Sequence, residues 1–375
     1  MTTARLALAF ALLAVGCGDD AAADPVDMGG TVALDGGMDG GVDGGVDGGL
    51  DLGTEPDAGG PEELEVRYLG RHDATDPSAV RFVWPGSGFA FRFRGTGASV
   101  RLRGGSYFTV LVDGEEQPEP LDVRGPQGIY TVVSGLPRAE HTLELFRRTE
   151  ARNGVTTVSG VSVEGESLPA PPRPERQLEL VGDSWLTGPG VDAPVGDCSG
   201  AVENHFRTWG ALAARAVGAE LSTVAVGGST VLGAQALPPL YERVLTEEAG
   251  SEGTIQPADV VFVSLGANDV AEGALPDGFV AGYAALLGQV RAQHPDALIA
   301  CVYPELEGPD TATIRTATDA AIAMRTEAGD TRVMGADIEP RALIDLACDE
   351  YHPGIMSYER MAENAVAFLG EEMGW

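Results

Sequence analysis

Two hydrophobic periodicities divide this chain. Between residues 66 and 168 apolar and polar side chains alternate with period two, and turn-forming residues arrive roughly every ten positions. The segments 80–84, 89–94, 99–103, 108–112 and 141–146 are expected strands. Asp113-Gly114 is a hairpin signal, because that pair tolerates the positive φ of a tight two-residue turn. About a hundred residues of this kind imply an all-β jelly roll or sandwich. The segment 169–176, with Pro169, Pro171, Pro172 and Pro174, is the expected join. From 177 to 375 the pattern changes: apolar strands at 178–181, 221–226, 260–265 and 297–302 alternate with helices at 209–217, 237–245 and 279–290. The fold class that follows is α/β, a three-layer domain with a parallel sheet, preceded by the all-β domain. Such a sheet presents functional groups at the carboxyl ends of its strands.

The N-terminal residues fit neither pattern. Arg5 precedes an apolar run at 6–15, and Gly16 precedes Cys17. The run is too short for a hydrocarbon core of ~30 Å, so no transmembrane helix is expected. Leu12-Leu13-Ala14-Val15-Gly16-Cys17 resembles a bacterial lipoprotein signal, in which the cysteine is acylated and becomes the new N-terminus. Residues 1–17 are thus expected to be signal peptide and lipidation site, and the protein to be exported. Gly18, with no aspartate at that position, points to the outer membrane. Residues 18–65 hold 14 acidic residues and no Lys or Arg, with a repeat of period four built on Asp35, Asp39, Asp43, Asp47 and Asp51. So little apolar surface and so much like charge predict an extended spacer. Its spacing fits neither calcium-binding loop that uses recurring carboxylates and glycines.

Charge narrows the partners. The whole chain carries a net charge of -33, and residues 66–375 still have 23 basic against 43 acidic residues. That excess argues against nucleic acid and against polyanionic substrates, and leaves neutral substrates open. Arg92, Arg94, Arg101 and Arg103 alternate along the first domain as an outward, solvated strand face would. That domain offers no nucleophile with a base and is expected to be a structural or glycan-contacting accessory.

The chemistry lies at strand ends of the second domain. Ser184 follows the first strand in Gly182-Asp183-Ser184, where a tight turn exposes a hydroxyl, although a serine there is also a common helix cap. Gly227-Gly228 ends the second strand with unobstructed amides, and Asn268 ends the third with a carboxamide. Asp349 stands three residues before His352, with Pro353 after it. Acyl transfer needs a nucleophile, a base, an orienter for that base and donors for the oxyanion. Ser184, His352 and Asp349 are the catalytic candidates; the backbone N–H groups of Ser184 and Gly228 and the Asn268 amide are the oxyanion candidates. Among the five histidines, His72 and His141 lie in the first domain, His294 precedes Pro295 at the far end of a helix, and His205 is the one rival to His352. No cofactor or metal is expected.

These four blocks, in order across 177–375, resemble the SGNH (GDSL-like) hydrolases. A small jelly roll containing Trp84-Pro85-Gly86-Ser87 and Phe146-Arg147-Arg148-Thr149-Glu150, followed by Gly182-Asp183-Ser184 and ending in Gly374-Trp375, is similar to carbohydrate esterase family 2. The resemblance implies a serine esterase that removes acetyl groups from plant polysaccharides such as xylan and glucomannan. A generic short-chain esterase or lipase, or a non-catalytic glycan-binding lipoprotein, would be the alternatives. Trp185 follows the serine where a smaller aliphatic residue is expected; stacking on a sugar and burial in the core both remain open for it, as for Trp375. The family's histidine is often oriented by a backbone carbonyl, so Asp349 is either a triad member or a loop residue. With Cys17 lipidated, Cys301 reads as a buried thiol, and Cys198 and Cys348 fall in loops near the site where an exported chain can pair them.

Overall fold

The computed structural model describes residues 64–375 apart from 194–195, 252, 271–273, 305–309, 340–342 and 350. Cys17 and the acidic repeat lie outside the described residues. Strands β1 (Val66–Leu69), β2 (Val80–Phe82), β3 (Gly88–Arg103), β4 (Tyr107–Val112), β5 (Glu115–Glu116), β6 (Leu121–Asp122), β7 (Gly128–Val133), β8 (Ala139–Arg147) and β9 (Thr156–Leu168) build an antiparallel assembly. The segments expected as two strands, 89–94 and 99–103, are one strand, β3, whose register shifts between Gly95 and Ala98. Gly95 allows this, because a Cβ there would stand 2.2 Å from the Glu164 carbonyl oxygen. Phe89, Phe91 and Phe93 point into a core with Phe108, Leu143 and Leu145. On the opposite face Arg92 and Arg94 pair with Glu140, and Arg94 also with Glu166, so these two arginines lie on an ion-paired outer surface.

The second sheet is parallel throughout, with order β11 (Ala219–Ala225), β10 (Arg176–Gly182), β12 (Val260–Ser264), β13 (Leu298–Val302) and β14 (Val333–Ala336). Helices α1 (Trp209–Ala216) and α4 (Ile355–Met373) cover one face, and α2 (Phe279–Gln293) and α3 (Asp310–Glu327) the other. Leu178, Leu180 and Phe262 point to the first helix pair, while Val181, Val261 and Val263 point to the second. Burial on both faces is why these strands read as unbroken apolar runs.

One expected helix does not form. Only Pro238–Leu240 makes a single 3-10 turn within 237–245. The two prolines remove backbone donors at its head. The apolar residues Leu237, Tyr241, Val244 and Leu245 are nonetheless buried. The segment is pinned as a loop, the Ser251 hydroxyl accepting from the N–H groups of Val244 and Leu245.

The two sheets share a core. Val83, Trp84 and Ala151 of the first domain join Val181, Tyr241 and Val244 of the second, and the Trp84 indole donates to the Arg243 carbonyl at 3.1 Å. Beneath them, Glu179 on the interior strand β10 is fully buried. It accepts two hydrogen bonds from the Arg71 Nη2 of the first domain, at 3.0 and 3.1 Å, and one from the Tyr241 hydroxyl at 2.8 Å, and meets His294 Nε2 at 3.0 Å. Burial alone would raise the Glu179 carboxyl, but Arg71, with His294 and Tyr241, holds it well below the usual range. Removing one partner of such a pair strands a buried charge. Arg71→Met should therefore destabilise the protein by about 3–5 kcal/mol, and adding Glu179→Gln should restore part of that, as read by chemical denaturation.

Candidate active site

Strand β10 lies between β11 and β12, so the chain reverses direction across the sheet there, and the carboxyl ends of these three strands open a crevice. Gly182 closes β10 because a Cβ would lie 2.1 Å from the Ser264 carbonyl oxygen. Asp183 then caps a single 3-10 turn, Ser184–Leu186, its carboxylate accepting from the Trp185 N–H at 3.2 Å. Burial pushes the Asp183 carboxyl up to about 7, and the Asp269 carboxylate pushes the same way.

After β11 the chain makes a turn in which Ser229 N donates to the Val226 carbonyl at 3.2 Å, with Gly228 at φ +70°. The Asn268-Asp269 pair at the end of β12 holds this loop. Asp269 accepts from the N–H groups of Val231 and Leu232. Asn268 Nδ2 donates to the Asp183 carboxylate and to the Ser229 carbonyl, both at 3.0 Å. Both amide N–H groups of Asn268 are engaged, so reaching an oxyanion would require it to release one of them. The backbone N–H groups of Ser184 and Gly228, in contrast, have no partner among the described residues. Two free donors at the crevice are what a developing oxyanion needs.

His352 is reached through a loop before α4. Asp349 Oδ2 lies 2.8 Å from His352 Nδ1, and Asp349 Oδ1 accepts from the N–H groups of Tyr351 and His352 at 2.9 Å each. Burial works against the Asp349 charge, but these N–H groups and the imidazole outweigh it and hold its carboxyl below the usual range. A carboxylate acceptor at Nδ1 selects the tautomer with Nε2 free to take a proton. Among the described residues no hydrogen bond joins Ser184 Oγ to the His352 ring. In unliganded sites such bonds commonly tighten only with substrate.

The loop after Ser184 and the loop before His352 are tied together. Cys198 and Cys348 form a disulfide with Cα atoms 5.0 Å apart, and a Cβ on Gly190 would meet the Cys348 Cβ at 2.3 Å. Cys198, Cys348 and Asp349 bring three potential ligand atoms within 4.8 Å of one another, but the sulfurs are bonded to each other and offer no thiolate. Cys301 is a free, buried thiol that burial pushes up to about 12.

His205 is 1 % exposed, its Nδ1 faces the Leu186 carbonyl at 2.7 Å, and burial pushes it down to about 4. It is a packing residue under Gly86, where a Cβ would stand 2.5 Å from its ring. Trp185 is half-buried against the core on the α1 and α4 face. Trp375 packs in the same cluster and under Arg176 at the amino end of β10, away from the crevice. Sequence reasoning passed over Tyr351, which is 73 % exposed beside His352, with Leu346 of the same loop and Met356 at the start of α4 also exposed. It also passed over Glu203, whose carboxylate accepts from the Glu150 N–H at 2.8 Å. Burial, and then the neighbouring Glu150 carboxylate, push Glu203 up to about 8.

A serine in the crevice of this parallel sheet, with an antiparallel β domain packed against it, defines an SGNH-type serine hydrolase fold. Comparison with known proteins places it more closely. The family model for the carbohydrate esterase 2 N-terminal domain matches residues 68–172, and that for the GDSL-like lipase/acylhydrolase family matches 180–358. The cellulase/esterase CelE of Acetivibrio thermocellus is 29 % identical over 334 residues, which span 85 % of this chain and 40 % of that protein. An acetylxylan esterase / glucomannan deacetylase of Cellvibrio japonicus is 24 % identical over 252 residues, 62 % of this chain and 70 % of that protein. The structure of a family two carbohydrate esterase from Clostridium thermocellum in complex with cellohexaose superposes with a TM-score of 0.77 at 28 % identity, covering 83 % of this chain and all of that one. The chain thus carries both domains of the family 2 carbohydrate esterases in the same order and is similar to members of that family along most of its length.

Glu203 supplies a pH test of this site. The unfolded chain loses the Glu203 proton at the ordinary carboxylate value, whereas the folded protein keeps it until about pH 8. Stability from this group is thus fully present below the ordinary value and is lost as pH rises through 8. Between pH 6 and pH 9 the melting temperature of Glu203→Gln should therefore fall less than that of wild type, by about 2 °C or more.

Proposed function

We propose that this protein is a serine esterase that removes O-acetyl groups from neutral polysaccharides such as xylan or glucomannan. The observation that carries this reading is the pair of unpartnered backbone N–H groups, of Ser184 and Gly228, in the crevice that holds the serine. The names of the relatives and the excess acidity of residues 66–375 support a neutral glycan as substrate. The exposed Tyr351 ring beside His352 offers an apolar face of the kind that packs on the C–H groups of a pyranose.

In this mechanism Ser184 Oγ attacks the acetyl carbonyl carbon while its proton passes to His352 Nε2. The oxyanion is held by the N–H groups of Ser184 and Gly228. Collapse breaks the bond to the sugar oxygen, which takes the proton from His352, and leaves acetyl-Ser184. Water, deprotonated by His352, then releases acetate and restores the serine. Asp349 keeps the imidazole in the productive tautomer and stabilises it when charged. Assayed on acetylated xylan and on p-nitrophenyl acetate, Ser184→Ala should lose roughly 10⁴-fold or more in kcat. Asp349→Asn should lose on the order of 10²–10⁴-fold, and near-normal turnover would mean that a backbone carbonyl orients His352.

The chain is further proposed to be exported and held at the outer membrane through lipid on Cys17, with no other membrane contact. Among the described residues no helix is long and apolar enough to cross a membrane. Mass spectrometry of the native protein from a membrane fraction should find an N-terminal acylated Cys17; an unmodified mature chain in the soluble fraction would refute the anchor.

A further inference from the structure

The β-sandwich reaches into the turn that carries the oxyanion donor. After β8, the segment Arg147 to Asn153 crosses to the second domain. Glu150 Oε2 accepts from the Gly227 N–H at 2.6 Å, and Arg152 Nη2 donates to the Gly227 carbonyl at 2.6 Å. The two side chains lie 3.7 Å apart. The Glu150 backbone is fixed in turn. Its carbonyl accepts from Arg147 at 2.9 Å, and its N–H donates to the buried Glu203. Arg147 is itself fully buried, donating also to the Thr149 carbonyl and the Thr156 hydroxyl.

The Gly227 carbonyl and the Gly228 N–H belong to one trans peptide unit and point in opposite directions. This unit is the central peptide of the Val226–Ser229 turn, and Gly228 at φ +70° is the third residue of a type II geometry. Two consecutive glycines impose almost no preference between that geometry and the type I turn obtained by flipping the central peptide. A flip would put a carbonyl oxygen where the oxyanion must sit.

We propose that Arg152, assisted by Glu150, is a positioning residue for the oxyanion donor: it holds the Gly227 carbonyl and so keeps the Gly228 N–H aimed into the crevice. This rests on the serine-esterase reading above. The guanidinium also polarises the peptide, making its N–H a stronger donor. The sandwich is thereby a component of the catalytic site as well as a packed neighbour.

Arg152 is 55 % exposed, so its removal leaves the core intact. Steady-state kinetics on acetylated xylan should show Arg152→Ala losing roughly tenfold to a hundredfold in kcat, less than the loss of a donor itself. KM should stay within about twofold and the melting temperature within about 2 °C. Arg152→Lys, which keeps a cationic donor, should recover part of kcat. A Ser184→Ala enzyme as active as wild type would overturn the esterase reading and this proposal with it. An inert Ser184→Ala alongside an Arg152→Ala variant with unchanged kcat would overturn the positioning role alone. So would a rise in KM at constant kcat, which would make Arg152 a substrate contact.

Discussion

A charge in the middle of the molecule sets the terms for everything around it. Glu179 occupies the interior strand β10, fully buried, and its carboxylate is matched by a guanidinium from the other domain. Neither charge is tolerable alone in that environment, since an ion moved out of water loses several kcal/mol of solvation that only a close, well-bonded partner offsets. The strand that leads to Ser184 is therefore tied to Arg71. The hydrolase sheet and the sandwich cannot separate without exposing or stranding one of the two ions, and Trp84, inserted in the shared core, reinforces the same docking.

That docking also restrains the turn beside the carboxyl end of β10. The turn after β11 is held from inside the hydrolase domain by Asn268 and Asp269, and from the sandwich by Glu150 and Arg152. A glycine pair is needed there to leave the amides unobstructed, and its freedom is what makes external restraint necessary. Buried carboxyls stand behind both turns. Asp183 under the serine and Glu203 under the sandwich loop are each pushed up by burial, and both accept hydrogen bonds that fix the backbone above them.

Much of the chemistry was legible one block at a time. Glycines and polar residues at the ends of apolar strands mark a catalytic crevice, and the spacing from Asp349 to His352 lets one carboxylate reach both the backbone and the ring of the histidine. The failures have particular causes. The apolar spacing at 237–245 imitated a helix, yet Pro238 and Pro239 and the hydrogen bonds of Ser251 kept it a loop. The segments 89–94 and 99–103 looked like separate strands because Gly95 and Gly97 interrupt the pattern, and in a strand glycines mark a bend as readily as an end. β1, β5, β6, β7, β9, β14, α3 and α4 were not anticipated.

The sequence by itself determined the fold class, the two-domain organisation and the residue types available at each strand end, because periodicity and turn chemistry act over a few neighbouring residues. Only the tertiary structure decided which histidine stands free, since burial silences His205 and leaves His352 Nε2 open. It alone decided that Asn268 is engaged with Asp183 and Ser229, and that an exposed arginine of the sandwich grips the Gly227 carbonyl. Burial, local dielectric and hydrogen bonds between residues more than seventy positions apart depend on how the two sheets dock, and no local pattern in the chain encodes that.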